Sequence, residues 1–162
     1  MSKNTIRESN QGCIVLAGTS DVLIQENIAY DTIGHCFVLQ DGMETGNTLR
    51  RNLGARTRQA EVFDQSYTNS EEGLDTTPST FLISNPSNVV EENVGAGSQG
   101  EAFAIILRSK VIGPHYEDFP SIDPASLLLT QFRGNVAHSN NVVSYIFRVG
   151  FCQLPHLLLT RI

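Results

Sequence analysis

The sequence predicts an all-β chain wound as a parallel β-helix, and three observations carry that expectation. Asparagine recurs in register, as Asn4-Thr5-Ile6, Asn27-Ile28-Ala29, Asn52-Leu53-Gly54, Asn93-Val94-Gly95 and Asn135-Val136-Ala137, at separations of 23, 25, 41 and 42 residues. An apolar strand opens nine positions after each Asn wherever no insert intervenes: Cys13-Ile14-Val15-Leu16, Cys36-Phe37-Val38-Leu39, Ala102-Phe103-Ala104-Ile105 and Ser144-Tyr145-Ile146-Phe147. The two long separations hold polar, turn-rich stretches, and removing these restores a unit of about 25 residues. A unit that small cannot bury its own apolar face, so it stacks on copies of itself. A leucine-rich repeat would need a Leu spacing that is absent, and an antiparallel sandwich would not keep Asn in register.

Each element has its own signal. The strand after the Asn and the strand nine positions on supply two sides of a coil. Short runs before the later Asn residues, Val22-Leu23-Ile24, Val89-Val90 and Leu127-Leu128-Leu129, predict a third. The Asn column itself is read as scaffold. Asn tolerates left-handed backbone at a corner, and its amide reaches the Asn one rung above, about 4.8 Å away. The β-helix is expected over residues 1–147, with inserts near 57–79 and 109–125, and a divergent tail over 148–162.

Composition narrows the function classes. The chain has 162 residues, which suits one domain, and 12 Asn with 13 Gly, which suits many corners. Its net charge of −6 leaves no broad cationic surface for phosphates, so nucleic acid is not an expected partner. The amino terminus lacks the apolar stretch of a signal peptide. The apolar run 141–159 is broken by Arg148, Gln153, Pro155 and His156, a poor membrane span. Three cysteines are too few for a disulfide scaffold, and Cys13 and Cys36, equivalent on adjacent rungs, are expected as stacked core thiols rather than a bridge. No Asn-x-Ser/Thr glycosylation acceptor with a permitted middle residue occurs.

The stretch Tyr30-Asp31-Thr32-Ile33-Gly34-His35-Cys36-Phe37-Val38-Leu39-Gln40-Asp41-Gly42-Met43-Glu44, followed by Asn47 and Asn52-Leu53-Gly54, carries a family resemblance. So do Ser79-Thr80-Phe81-Leu82-Ile83-Ser84-Asn85-Pro86-Ser87-Asn88, then Ala96-Gly97-Ser98-Gln99, and Asn135-Val136-Ala137-His138-Ser139-Asn140. In that order they resemble the β-helix of the cell-migration-inducing and transmembrane hyaluronidases and of fibrocystin-L. The resemblance implies a right-handed, pectin-lyase-like solenoid, present here in part, with neighbouring coils belonging to a larger extracellular or cell-surface parent. It also implies a glycosaminoglycan or other polysaccharide as partner and either a glycosidase-like activity or a purely structural stalk. No cofactor is expected, calcium being the one the resemblance allows. Leu82 stands at the family's tryptophan, Ala102-Phe103-Ala104 at its aromatic pair, and Gln40 at its usual Glu.

The candidate site follows from the same register. Glu8, Asp31 and Arg56 lie four positions after successive Asn residues, so two carboxylates and a guanidinium should stack. His35 is four residues beyond Asp31. Closely spaced carboxyl groups suit a retaining glycosidase, which makes Asp31, His35 and Asp41 the candidate catalytic residues. Glu8, Arg56 and His138 are the candidate substrate-binding residues, His138 sharing a column with Arg7 and Tyr30. The plainer reading is that Arg56 neutralises its acidic neighbours and His35 caps a corner hydrogen bond. No metal ligand set is expected. The acidic cluster Glu71, Glu72 and Asp75 has the oxygen chemistry calcium takes, but fits a solvated loop better.

Overall fold

The computed structural model describes residues 1–59, 77–114, 116–142 and 144–149. Among the described residues fourteen strands wind in chain order: β1 (Thr5–Arg7), β2 (Ile14–Leu16), β3 (Leu23–Gln25), β4 (Ile28–Ile33), β5 (Phe37–Leu39), β6 (Thr48–Arg50), β7 (Leu53–Arg58), β8 (Ser79–Ile83), β9 (Val89–Glu91), β10 (Val94–Ala96), β11 (Glu101–Leu107), β12 (Gln131–Arg133), β13 (Val136–His138) and β14 (Tyr145–Val149). They form three sheets in the orders β1-β4-β7-β10-β13, β2-β5-β8-β11-β14 and β3-β6-β9-β12. Every pairing is parallel, and each strand's neighbour is the strand one coil away, which defines a parallel β-helix.

The Asn column is one continuous ladder. The backbone N–H and side-chain amide of Asn27 both donate to Asn52 Oδ1, at 3.0 and 2.9 Å. Asn52 donates likewise to Asn93, and Asn93 to Asn135, at 3.0–3.1 Å, with Asn4 donating to Asn27 at the first rung. The second amide hydrogen of Asn52, Asn93 and Asn135 goes to the carbonyl of Ile24, Leu49 and Val90, each at 2.9–3.0 Å. A second ladder precedes the third sheet, where Val22 donates to Asn47 and Asn47 to Asn88.

The expectation that these Asn residues take left-handed backbone is corrected. It is the residue before each Asn that does so: Lys3, Glu26, Arg51 and Glu92 at φ between 53° and 56°, and Gly134 at 63°. The corner needs a left-handed residue, and the Asn that follows must keep its amide aligned along the axis. Because the left-handed residues project outward on successive rungs, their charges alternate as Lys3, Glu26, Arg51 and Glu92, with ion pairs of 3.7–3.8 Å.

Inside, volumes complement one another across the coil. Phe37, Phe81, Phe103 and Tyr145 stack at centroid distances of 4.7, 4.7 and 5.3 Å with planes within 10° of parallel. The inward column of the first sheet is Ile6, Ala29, Gly54, Gly95 and Ala137, small in the rungs that hold these rings. A Cβ on Gly54 would lie 2.2 Å from Thr80 Cγ2 and 3.4 Å from the Phe37 ring, and one on Gly95 would lie 2.8 Å from Ala102 Cβ.

Two further expectations are corrected. The expected strand Leu127-Leu128-Leu129 is not a strand, and Leu128 is 88% exposed. Registration with the Asn ladder puts Gln131–Arg133 in the sheet instead, with Phe132 beside Val90. Cys13 and Cys36 are joined in a disulfide, not stacked as thiols, because the rung spacing sets their Cα atoms 4.6 Å apart, within bridging range. The polar stretch after β11 carries two single turns of 3-10 helix, Tyr116–Asp118 and Pro124–Ser126. Of the first insert, residues 60–76 lie outside the described residues.

Two outcomes follow from the packing. Gly54→Ala should cost about 1–3 kcal/mol through overpacking, and Thr80→Ser, which deletes Cγ2 but keeps the hydroxyl partnered with Thr57, should restore most of it. A four-variant denaturation cycle reads the coupling directly. Asn52→Ala strands the amides of Asn27 and the carbonyl of Ile24, and should cost about 2–4 kcal/mol in the same assay.

Burial pushes the Tyr145 phenol above its ordinary value of 10.0. The raised value means that the folded state favours the neutral phenol, whose hydroxyl donates to the Asn135 carbonyl at 2.7 Å. That stability is complete below the unfolded value and is lost as pH rises through the folded one. Denaturation at about pH 8 and about pH 11 should show an alkaline loss that Tyr145→Phe diminishes.

Candidate functional site

The outer face of the first sheet gathers four of the six candidate residues. Parallel register lines up Thr5, Ile28, Leu53, Val94 and Val136 in one outward column and Arg7, Tyr30, Ala55, Ala96 and His138 in the other. Ile28, Tyr30 and Val136 are 47%, 42% and 51% exposed. Beside them runs the corner column Glu8, Asp31, Arg56, Gly97 and Ser139, every member left-handed with φ between 56° and 64°. For residues other than glycine such backbone costs about 1 kcal/mol or more each, and the stacked corners hold it in place.

Within that column the groups do not form a carboxylate pair. Asp31 lies between two guanidinium groups, with Arg56 Nη1 3.3 Å from Oδ2 and Arg58 Nε 2.6 Å from Oδ1. Glu8 turns back to Arg7 Nε at 2.9 Å. His138 is exposed, its Nδ1 3.2 Å from Ser139 Oγ. Tyr30 thus stands on an open face between Arg7 on one side and Ala55 on the other, beside the Asp31 ion pairs.

His35 and Asp41 lie elsewhere. His35 precedes β5, and its Nδ1 accepts the Ser79 backbone N–H at 2.9 Å, which assigns the hydrogen to Nε2 when the ring is neutral. Asp41 follows β5 and is buried, 2% exposed. Its carbonyl accepts the Ile112 N–H at 2.8 Å, and a Cβ on Gly113 would lie 2.7 Å from its carboxyl group. The two residues flank opposite ends of one strand, up to about 20 Å of extended chain apart. In the same turn Glu44, fully buried, accepts backbone N–H groups from Gly18, Asp41 and Gly42 at 2.8–3.2 Å, so the Asp-Gly-x-Glu segment fastens one rung to the next.

The positions where the resemblance places aromatic residues divide between the interior core and a second apolar cluster. Leu82 is 7% exposed, and Ala102, Phe103 and Ala104 are 1% exposed or less. Phe103 joins the interior stack with Phe37 and Phe81, whereas Leu82 and Ala104 fall in the alternate column with Val38, an apolar cluster on the other side of the second sheet, so an aromatic ring at those two positions would not enter the interior. Arg58 was not anticipated, although its spacing of two from Arg56 on one strand gives the alternation that puts both on one side. Also unanticipated is Glu91, whose Oε2 accepts from Gln131 at 2.7 Å and from Arg133 at 2.8 and 3.0 Å on the third sheet. Among the described residues no group of three or more His, Cys, Asp or Glu side chains is arranged to hold a metal ion. Glu71, Glu72 and Asp75 lie outside the described residues.

Fold and face together define the class: a parallel β-helix whose first sheet presents an open, partly apolar surface rimmed by ion pairs. A family model described as the CEMIP beta-helix matches residues 1–145, and the chain belongs to that family. The human protein named cell surface hyaluronidase CEMIP2 is 32% identical over 155 residues, covering 84% of this chain and 11% of that protein. Communication mutant protein F of Dictyostelium discoideum is 31% identical over 160 residues, covering 93% of this chain and 14% of its own length. Mouse fibrocystin-L is 32% identical over 134 residues, 83% of this chain and 3% of its own. The chain therefore corresponds to one module's length within far larger relatives.

The Asp31–Arg58 contact should be worth no more than about 1 kcal/mol, since the guanidinium is partly exposed. A double-mutant cycle of Asp31→Ala and Arg58→Ala should give a coupling of that size that shrinks in high salt.

Proposed function

We propose that this chain is a β-helical module that binds a polysaccharide along the outer face of its first sheet, within a larger extracellular or cell-surface protein. The observation that carries this reading is the exposed Tyr30 ring beside a small-residue floor, Ala55 and Ala96, with the Arg7 and Arg56 guanidinium groups at its edges. An aromatic face suits the apolar side of a sugar ring, and guanidinium groups suit the carboxylates of an acidic glycan. Because the human relative is named a hyaluronidase, hyaluronan is the first polymer to test. The Cys13–Cys36 disulfide supports an oxidising compartment. No described helix is long and apolar enough to cross a membrane.

Binding is favoured over hydrolysis. Asp31 is tied to two guanidinium groups, Asp41 is buried, and His35 spends Nδ1 on a backbone N–H. The second reading is a stalk with no ligand, as in a fibrocystin-L-like receptor, favoured by the number of contacts that fasten rung to rung.

Purified chain titrated with hyaluronan oligosaccharides should bind, and Tyr30→Ala and Arg56→Ala should each weaken affinity about 5–10-fold, close to 1 kcal/mol. High-molecular-weight hyaluronan incubated with the chain, with and without calcium, should keep its length. Depolymerisation abolished by Asp31→Asn would favour a glycosidase instead, and absence of binding to any acidic glycan would leave the stalk.

A further inference from the structure

We propose that the Cys13–Cys36 disulfide is a redox-sensitive clasp that governs whether the first coil stays docked on the second. The bond crosses two rungs, joining the corner between β1 and β2 to the corner between β4 and β5, 23 residues apart in sequence. Cys36 is fully buried, whereas Cys13 is partly exposed, so an incoming thiolate reaches the Cys13 sulfur first.

The first coil has little else in the core. Residues 1–25, its three strands, bury Ile14 and Ile24, with Ile6, Leu16 and Val22 half-buried. The second coil, by contrast, places Phe37, Leu39 and Leu49 at 1% exposure or less. The aromatic stack begins at Phe37, so the first coil adds no ring to it. Apart from the backbone ladders, its polar ties to the second coil include the Asn4–Asn27 contact, the Val22 N–H on Asn47, the Asn47 amide on the Thr19 carbonyl, the Gly18 N–H on Glu44 and the Lys3–Glu26 ion pair at 3.8 Å. A covalent clasp at the corner therefore holds a coil that packs less apolar surface than the one it rests on.

The chemistry balances with a dithiol reductant. Its thiolate attacks Cys13 Sγ, the Cys13–Cys36 bond breaks, and Cys36 leaves as a thiolate that takes up a proton. The second thiol of the reductant then attacks the mixed disulfide and releases Cys13, so two electrons pass to the protein and the reductant ends as a disulfide. Opening of the coil would carry Arg7 and Glu8 away from the outer face of the first sheet. This consequence for binding rests on the glycan reading above, whereas the release of the coil does not.

Four backbone amides report the docking directly. Ile28, Ile33, Gln40 and Thr48 donate to the carbonyls of Asn4, Ser9, Leu16 and Val22 at 2.8–3.0 Å, each from the second coil to the first. Leu53 and Val94 donate to Asn27 and Asn52 on later rungs and serve as internal controls. Residue-resolved hydrogen exchange on the 162-residue chain, oxidised and after reduction by dithiothreitol, should show the four reporters exchanging about tenfold faster or more, with the controls unchanged. Cys13→Ala/Cys36→Ala should reproduce that pattern without reductant and ignore its addition. Reporters that stay protected after confirmed reduction overturn the clasp, as does uniform acceleration of reporters and controls together.

A parallel hyaluronan titration separates the two ideas. Weaker binding on reduction, matched to loss of protection at the reporters, supports control of the face. Unchanged affinity with the coil released overturns that control, and no binding in either redox state removes the glycan reading while the exchange result stands alone.

Discussion

The constraint on which the rest depends is that like side chains must lie over like side chains at the spacing of hydrogen-bonded strands. The asparagine ladder enforces it, because each amide accepts two hydrogen bonds from the rung before and donates to the rung after and to a buried carbonyl. A slip by one residue would leave several buried donors and acceptors unpaired, a penalty of about 1–3 kcal/mol for each. The alternating charges of Lys3, Glu26, Arg51 and Glu92 act in the same direction from outside, since a shift by one rung sets like charges together.

Register alone does not fill a core. The phenylalanine stack is wide, and the opposite wall accommodates it by narrowing to Ala29, Gly54 and Gly95, with Thr80 and Ala102 close beside them. The glycines of the Asn-Leu-Gly and Asn-Val-Gly triplets are therefore matters of volume, not of backbone freedom. The left-handed positions are a separate matter: where they do not fall on glycine or Ser139 they fall on charged residues, whose interactions can differ from rung to rung.

This division explains what the candidate site became. The stacking of Glu8, Asp31 and Arg56 was legible because it needs only the period. What the period does not reveal is where each charged group turns within its column. Arg58 reaches Asp31 from two residues beyond Arg56, and Glu8 chooses its own neighbour Arg7. The motif residues His35, Asp41 and Glu44 are bound up with backbone groups of other rungs or buried beneath a later segment, so a motif that reads as chemistry is here largely a device for joining coils. Leu82 and Phe103 part company, since alternation along the strand sends Phe103 into the interior stack and Leu82 to the other side of the sheet.

By itself the sequence determined the coil period, the parallel stacking and the residues that share a column, because in-register repetition writes the same neighbour relation into every turn. Only the tertiary structure decided which of three leucines and a phenylalanine continue the third sheet, that Cys13 and Cys36 bond, and which face is open to a ligand. Those outcomes depend on how segments of unequal length return to the ladder and on the distance between side chains that meet across a corner. Periodicity specifies that such groups are neighbours, and the folded geometry specifies whether they touch.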